Sequence, residues 1–527
     1  GNHNIGQGYE SLRHLTSGDN NIAIGEQALE GNATGMITGN GNIAIGKEAM
    51  RCLCTSGAKN IGIGEAAGKC ITTAGNNILM GDCSGFGLAT GNCNVFLGVN
   101  AGCGAVDTDK SIFFGVSAGA KMKGDRNIAL GDVAMVGSGT YADNTGTNNI
   151  AMADSSLRAI SSGSNNVALG AETGRCLTTG GHNILIGCLA GHYGTTQNYS
   201  IALGYKAMEG NSSTSPTSEQ NIAIGCATLK SVCTGKKNIA MGSQVMCDIT
   251  TGCYNVAFGP NAGRATTTGN CNIFLGFYAG CDRTGSSNNN IALGRSALQG
   301  SGTTTGSENV ALGFKAGECV STGSNNVIMG TNAGKQTTTG AANVMIGNYA
   351  GQCHVSGSEN VYISHCAGRC MCNGSANVAI GNHALQGGST VSDNTGTLNV
   401  AIGKEAGCVV TTANRNVIIG NETGKALTTG NRNVLLGSNA GDSIVSGDYN
   451  VAIGFNVDVA STTGSSQFVI GCGTSWWICG DSSFNIYDKN GTLIAPGFSP
   501  DADMNLLSSS TCSGCSLDGS AGCFNIL

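Results

Sequence analysis

One short phrase recurs along almost the whole chain and constrains the fold more than any other feature. It reads Asn, Ile or Val, an apolar residue, a large apolar residue, then Gly, as in residues 166–170 and 433–437. With the Asn as position 1, the phrase occurs 27 times, and 18 of its 26 intervals are 17 residues. A fixed period of this size indicates a solenoid, because each short coil buries its apolar side chains only by stacking on its neighbours. We therefore predict an all-β parallel solenoid of 27 coils over residues 1–471.

Charge and hydropathy exclude several classes of function. The net charge is −6 and no basic stripe is present, so a nucleic-acid partner is not expected. No apolar run approaches the roughly 18 residues that a membrane-spanning segment needs, so membrane insertion is not expected either. Charged residues are 11% of the chain and no nucleophile–base pair recurs, so we predict no catalytic residue, no enzymatic activity and no cofactor.

Positions 1 to 5 of each repeat predict a short strand. Positions 2 and 4 share one face and position 3 lies on the other, and position 3 is never charged. Both faces are therefore expected to be dry, with one filling the coil and the other, at position 3, meeting a second layer or another subunit. Asn holds position 1 in 24 of the 27 coils, which predicts a ladder of stacked side chains. Its clearest members are Asn166, Asn183, Asn416, Asn433 and Asn450.

The residue volumes at positions 3 and 9 are reciprocal. A bulky position 3 goes with Gly at position 9, as in Phe113 with Gly119, whereas a bulky position 9 goes with a small position 3, as in Ala129 with Met135. We interpret this as shared interior space filled to native density. Two subfamilies of repeat, spread by duplication, are the alternative.

Four intervals carry four or five extra residues: Gly25–Gly46, Gly131–Ala153, Gly204–Gly225 and Gly381–Gly403. All four follow a Leu or Met at position 9, so the insertions are expected to project from one side of the solenoid. Loops on a rigid scaffold often carry binding functions. The alternative is that these are insertions without a function, which the surface of the fold tolerates.

The chain has 25 Cys, and several occupy the same position on adjacent repeats. Stacked positions about 4.8 Å apart lie within disulfide reach, which favours an extracellular or virion-surface setting; buried free thiols are the alternative. The candidate pairs are Cys52 with Cys70, Cys353 with Cys370, Cys93 with Cys103, and Cys271 with Cys281. The odd count leaves one thiol free or bridging two chains.

Two further patterns are weaker. A weak metal candidate consists of His365, Cys366, Cys370 and Cys372, with Cys353 and His354 one coil earlier, but the spacing matches no familiar zinc pattern, so no metal site is predicted. Sequons for N-glycosylation, which matter only in a eukaryotic secretory route, begin at Asn32, Asn198, Asn211, Asn373, Asn421 and Asn490.

The repeat stops at Gly471, and a different composition follows. Residues 472–497 include Trp476 and Trp477, the only Trp residues of the chain, and we predict a cap over the last coil. Residues 498–527 are rich in Ser, Cys and Gly and predict a loosely structured or partner-dependent tail.

The run Asn-x-Ala-Ile-Gly-x-x-Ala, followed by Thr-Thr-Gly-x-x-Asn, resembles the head repeats of YadA-like trimeric autotransporter adhesins. It is closer still to the repeats of phage-type tail-fibre proteins, and the resemblance covers residues 4 to about 486. It implies a left-handed parallel β-roll and a homotrimer with the rolls side by side. In tail-fibre relatives, a segment similar to residues 477–485 precedes an intramolecular chaperone domain, whose Arg-Leu-Lys signature this chain lacks. The family is poor in Cys, and this departure favours a virus of a eukaryotic host.

The resemblance and the lack of catalytic groups predict a non-enzymatic fibre or spike on a virion surface. Its loops would contact a host receptor or glycan, and its other partners would be virion structural proteins. A cell-surface trimeric adhesin is the alternative. An ice-binding solenoid is disfavoured because the Thr pairs sit beside Gly in a turn, and a glycan-cleaving solenoid would need charged residues converging in one groove.

Overall fold

The computed structural model describes residues 1–31, 36–53, 56–139, 143–212, 216–300, 302, 304–480, 485–488, 492–495, 499–500 and 506–507. The predicted fold class is confirmed: the protein is all-β, with a parallel β-solenoid of about 27 coils and a period of about 17 residues. The chain divides into two compact units, Gly1–Tyr278 and Ala279–Leu527.

The strands of the first unit are three residues long. They are β1 (Ile5–Gln7), β2 (Ile22–Ile24), β3 (Ile43–Ile45), β4 (Ile61–Ile63), β5 (Ile78–Met80), β6 (Val95–Leu97), β7 (Ile112–Phe114), β8 (Ile128–Leu130), β9 (Ile150–Met152), β10 (Val167–Leu169), β11 (Ile184–Ile186), β12 (Ile201–Leu203), β13 (Ile222–Ile224), β14 (Ile239–Met241), β15 (Val256–Phe258) and β16 (Ile273–Leu275). Each consists of positions 2 to 4 of one repeat.

The second unit continues the pattern and then changes it. Its strands are β17 (Ile291–Leu293), β18 (Val310–Leu312), β19 (Val327–Met329), β20 (Val344–Ile346), β21 (Val361–Ile363), β22 (Val378–Ile380), β23 (Val400–Ile402), β24 (Val417–Ile419), β25 (Val434–Leu436), β26 (Val451–Phe455), β27 (Phe468–Cys472), β28 (Ser475–Gly480), β29 (Ile486–Asp488), β30 (Leu493–Ala495), β31 (Ser499–Pro500) and β32 (Leu506–Leu507). A 3-10 helix spans Val391–Asp393.

Within each unit, successive strands up to β27 pair in parallel with equivalent positions opposite each other. Val167 pairs with Ile184, and the same register joins Val378 to Val400 across one of the long intervals. The extra residues of that interval therefore form a loop between the two strands, and the loop does not shift the register of the second strand. This matters because a slip of one residue would exchange the two faces of the strand.

Position 3 faces the interior of the coil, and positions 2 and 4 face outwards. In β11 the central Leu185 is fully buried, whereas Ile184 and Ile186 are 41% and 38% exposed. The expectation that position 3 would meet a second layer or subunit is therefore wrong. The apolar face that lacks a covering layer within the described chain is formed by positions 2 and 4, because the central residue of each strand, whether small as at Ala168 or large as at Phe113, lies inside the coil.

The reciprocal volumes reflect shared interior space. A Cβ atom added at Gly119 would lie 2.4 Å from Cδ2 of Phe113, so the ring occupies the place of a position 9 side chain. In the other arrangement Met50 fills the space, and its Cγ lies 3.1 Å from a Cβ built on Gly62 in the next coil. Packing therefore accounts for the reciprocity, and repeat duplication alone does not.

The parallel stack ends at β27, where β28 pairs with it in antiparallel orientation, followed by β29 and β30. Trp476 lines an apolar cavity of about 270 Å³ together with Phe468 and Val469, whereas Trp477 is 64% exposed. Antiparallel pairing covers the last parallel edge, which would otherwise offer unpaired backbone groups. Of the predicted tail, 498–527, only residues 499–500 and 506–507 are described.

Interior packing predicts strong coupling between positions 3 and 9. Phe113→Ala leaves a cavity and should cost about 3–5 kcal/mol, and Gly119→Leu overpacks the same space. The double variant resembles the arrangement of Ala129 and Met135 in the next coil. We therefore expect its loss in free energy of unfolding to be smaller than the sum of the losses of the two single variants. Thermal unfolding followed by circular dichroism measures this. Additive losses would contradict shared space.

Candidate functional site

Two rows of apolar side chains, one at position 2 and one at position 4, face outwards on each unit; we call them the outer stripe. Every residue at these positions in β2 to β27 is apolar. The most exposed members are Ile24, Ile45, Ile78, Met80, Ile112, Phe114, Met152, Ile184, Ile186, Met241, Phe258, Ile273, Ile291, Leu293, Ile402 and Ile419. Parallel sheets are normally covered on both faces, and contiguous exposed apolar surface marks an interaction site.

A buried column of Asn side chains runs through each unit at position 1. The Oδ1 of Asn166 accepts hydrogen bonds from both N and Nδ2 of Asn183, at 3.1 and 2.9 Å. The Nδ2 of Asn166 donates at 2.9 Å to the carbonyl of Gly180, at the end of its own coil. Each amide therefore ties two coils together and closes one of them. Asn416, Asn433 and Asn450 also donate through N to the preceding Asn and through Nδ2 to such a carbonyl.

Ser at position 1 keeps only part of this pattern. The Oγ of Ser111 accepts from the backbone N of Asn127 at 3.1 Å. The Nδ2 of Asn127 then donates to two carbonyls, those of Gly124 and Gly146, each at 2.8 Å. Ser thus continues the backbone link between coils, and the neighbouring amide finds another acceptor.

The second and fourth long loops are anchored by buried Asn residues that the sequence analysis missed. Asn394 donates through Nδ2 to the carbonyls of Cys370 and Gly388, at 3.0 Å each, and Asn144 accepts from the backbone N of Ser138 at 3.1 Å. Both lie in an identical Asp-Asn-Thr-Gly-Thr segment, at residues 143–147 and 393–397. Comparing the two insertions would have revealed this signal.

A polar groove of about 410 Å³ lies beside the end of the fourth loop. It is lined by Thr397, Asn414, Arg415, Asn431, Arg432, Asp448 and Tyr449. The Nδ2 of Asn414 donates to Oδ1 of Asn431, and Nδ2 of Asn431 donates to Oδ1 of Asp448, at 3.2 and 3.0 Å. The guanidinium of Arg432 lies 5.1 Å from the ring centroid of Tyr449. Exposed ring, cation and amides suit a hydroxyl-rich or acidic ligand such as a glycan.

Cys353 and Cys370 lie side by side on adjacent coils. The thiol of Cys370 donates a hydrogen bond to Cys353, which lowers the pKa of Cys353 and raises that of Cys370. Cys52 neighbours Cys70, whose pKa is raised by burial and by the charge of Cys52. The described cysteines are thiols in this structure, so disulfide pairing stays a prediction.

The other two candidate pairs are less well supported. The pKa of Cys103 is raised by burial and by its neighbours Cys83 and Cys70, whereas Cys93 is exposed immediately before the Asn column. Cys271 is exposed in the first unit, and Cys281 is buried in the second.

The four residues of the weak metal candidate do not form one cluster. Cys370 contacts Cys353, and Sγ of Cys372 donates to Oδ1 of Asn373 at 3.6 Å. His365 and Cys366 instead lie beside His383 of the next coil.

The predicted sequons differ in accessibility. Asn198 is half-buried and its side chain accepts from the backbone N of Gly181 at 2.9 Å. Asn211, Asn373 and Asn421 are exposed, and Asn32 and Asn490 lie outside the described residues.

The Asn column predicts a graded response to substitution at position 433. Asn433→Ala leaves the backbone N of Asn450 and the carbonyl of Gly447 without their partner, and each buried orphan costs about 1–3 kcal/mol. Asn433→Ser should cost less, because a hydroxyl can still accept from Asn450, as Ser111 does for its neighbour. Thermal unfolding ranks the three proteins; equal losses for Ala and Ser would contradict the role assigned to the side-chain oxygen.

Thiol reactivity should distinguish Cys353 from other half-buried cysteines. Because its pKa is lowered, Cys353 should react with iodoacetamide near neutral pH faster than Cys176 or Cys319, whose pKa values are raised by burial. Cys370→Ala removes the hydrogen-bond donor that lowers the Cys353 pKa, so it should slow the Cys353 reaction without affecting the other two. Peptide mass mapping over time measures all three rates, and equal rates would refute the thiol–thiol contact.

No helix that is long and apolar enough to cross a membrane occurs among the residues with described structure. No protein-family model matches the chain, and no curated protein matches it either.

Proposed function

We propose that this protein is a non-enzymatic structural fibre or spike of a virion surface, assembled as a side-by-side homotrimer through the outer stripe. The outer stripe carries this proposal. It supplies two apolar rows on the parallel strands of each unit, and water-exposed apolar surface of this extent is stabilised by association.

A second copy of the chain is the partner that best fits the stripe. The rows repeat once per coil, at a strand spacing of about 4.8 Å. A surface fills such rows along their length only if it has the same repeat, and this chain supplies that repeat itself.

The two rows also favour a closed ring of copies over a twofold dimer. Position 2 is Ile or Val in almost every coil, whereas position 4 also includes Leu, Met and Phe. Packing the position 2 row of one copy against the position 4 row of the next is a heterologous contact, which forms a ring when the rotation between copies closes and an open filament when it does not. Three copies are the number that the sequence resemblance implies.

Attachment to a host is assigned to the long loops and the polar groove. The fourth loop is held by Asn394 and ends at the groove, which presents Arg415, Arg432 and Tyr449. A receptor glycan offers the hydroxyls and carboxylates that these groups bind. The tail, residues 498–527, is proposed to contact other virion structural proteins.

A cell-surface adhesin of the same build is the second candidate, since it would use the same stripe and loops. Immunogold labelling of virions and of cells separates the two. An ice-binding role is disfavoured, because Oγ1 of Thr178 and Oγ1 of Thr428 donate to carbonyls of the next coil, at 3.0 and 3.1 Å.

Charge placed on the stripe should break the assembly. Ile402 and Ile419 are each 37% exposed on adjacent strands of the second unit. We expect the wild-type protein to have the mass of a trimer in native mass spectrometry, with and without reductant. Ile402→Asp combined with Ile419→Asp should release dimers and monomers, since two carboxylates per chain would be buried at the interface.

The matched control places the same charges off the stripe. Val106 and Val445 are 39% and 38% exposed, and Val106→Asp with Val445→Asp should leave the trimer mass unchanged. Far-ultraviolet circular dichroism verifies that both double variants fold. A monomeric wild type, or equal dissociation of both variants, would overturn the assembly proposed here.

A further inference from the structure

Three metal-ligating side chains from two adjacent coils converge on the surface of the second unit. His365 and Cys366 follow β21, and His383 follows β22 at the equivalent turn. One ligand atom from each side chain lies within 4.8 Å of the other two. The cluster unites residues 17 positions apart, from Cys366 to His383, which is one coil.

The backbone of the two turns holds these residues in fixed positions. The backbone N of His383 donates to the carbonyl of His365 at 3.0 Å, and that of Cys366 donates to the carbonyl of Asn348 in the preceding coil at 3.0 Å. Cys366 and His383 both have positive φ, 56° and 59°, so the two turns have the same shape. The ligands are therefore arranged before any ion binds.

The spacing of the ligand atoms matches tetrahedral coordination. Zinc binds thiolate at about 2.3 Å and imidazole at about 2.0–2.1 Å, which puts the two ligand atoms about 3.6 Å apart at a tetrahedral angle. Sγ of Cys366 and Nε2 of His365 are 3.6 Å apart. The imidazoles of His365 and His383 are 5.3 Å apart between ring centroids and nearly perpendicular, so both can turn a nitrogen towards one point.

A neighbouring amide selects the nitrogen that His383 presents. Its Nδ1 hydrogen-bonds to Oδ1 of Asn382. An amide oxygen only accepts, so Nδ1 carries the proton and Nε2 keeps its lone pair for an ion. Such outer hydrogen bonds orient the histidine ligands of metal sites.

We infer that His365, Cys366 and His383 form a binding site for a divalent transition-metal ion of the zinc type. Cys366 is buried and His365 is exposed, so the ion would sit at the surface with its fourth position open to water. Two imidazoles and a thiolate suit Zn²⁺ or Co²⁺ better than Mg²⁺ or Ca²⁺, which take oxygen ligands. The ion would fasten two coils together, a role separate from the proposed assembly and attachment functions.

Cobalt substitution tests the site in the intact protein. The protein is stripped of metal with a chelator, kept reduced with a phosphine that does not bind metal, and titrated with Co²⁺. We expect one Co²⁺ per chain, with a thiolate-to-cobalt charge-transfer band and visible bands typical of tetrahedral coordination. Added Zn²⁺ should abolish both sets of bands.

Variants identify the ligands. Cys366→Ser should remove the charge-transfer band, and His365→Asn or His383→Asn should weaken Co²⁺ binding at least tenfold. Cys370→Ser with Cys372→Ser is the matched control and should leave the spectrum unchanged. His365 is exposed, so its substitution leaves the fold intact even where replacement of the buried Cys366 does not. A charge-transfer band that persists in Cys366→Ser would overturn the inference. So would Co²⁺ binding by the histidine variants that is as tight as that of the wild-type protein.

Discussion

The hydrogen bonds of the buried Asn column set the spacing on which the remaining structure depends. A coil of about 17 residues has no interior large enough to be stable alone, so its position relative to the next coil must be specified. Each Asn oxygen accepts from the backbone and side chain of the next Asn, as between Asn166 and Asn183, and its amide closes its own coil. Parallel strand register, interior packing and the outer stripe all repeat once per coil, in step with these bonds.

Much of this architecture could be predicted from the sequence, because the same local pattern of residues recurs in every coil. The period, the strands, the Asn positions and the reciprocal volumes of Phe113 and Gly119 are local patterns. The direction of the strand faces was not predicted correctly, since alternation separates two faces but cannot decide which is inside when both are apolar. The interior is too narrow for two large rows, so the central residue turns inwards and the rows at positions 2 and 4 remain outside.

The candidate sites were harder to predict because their residues meet across coils. His365 and Cys366 were grouped with Cys370 and Cys372 and with two residues of the preceding coil, whereas the third residue of the cluster is His383, in the following coil. The groove beside the fourth loop likewise joins residues from successive coils, Asn414, Asn431 and Asp448. In a solenoid, residues one period apart in sequence are neighbours in space, so candidate sites are best sought among residues separated by one period.

The unshifted register across the long intervals has an evolutionary consequence. Since Val378 still pairs with Val400 after an insertion, the stack accepts gains and losses of chain at its turns, and whole coils can be added or removed by recombination between repeats. Interior volume limits which exchanges succeed. Met50 extends into the space above Gly62 in the following coil, so a splice that placed Phe113 after Met50 would create a clash. The length of the solenoid can therefore change in steps of one coil, but only where the two coils that are joined have compatible interior side chains.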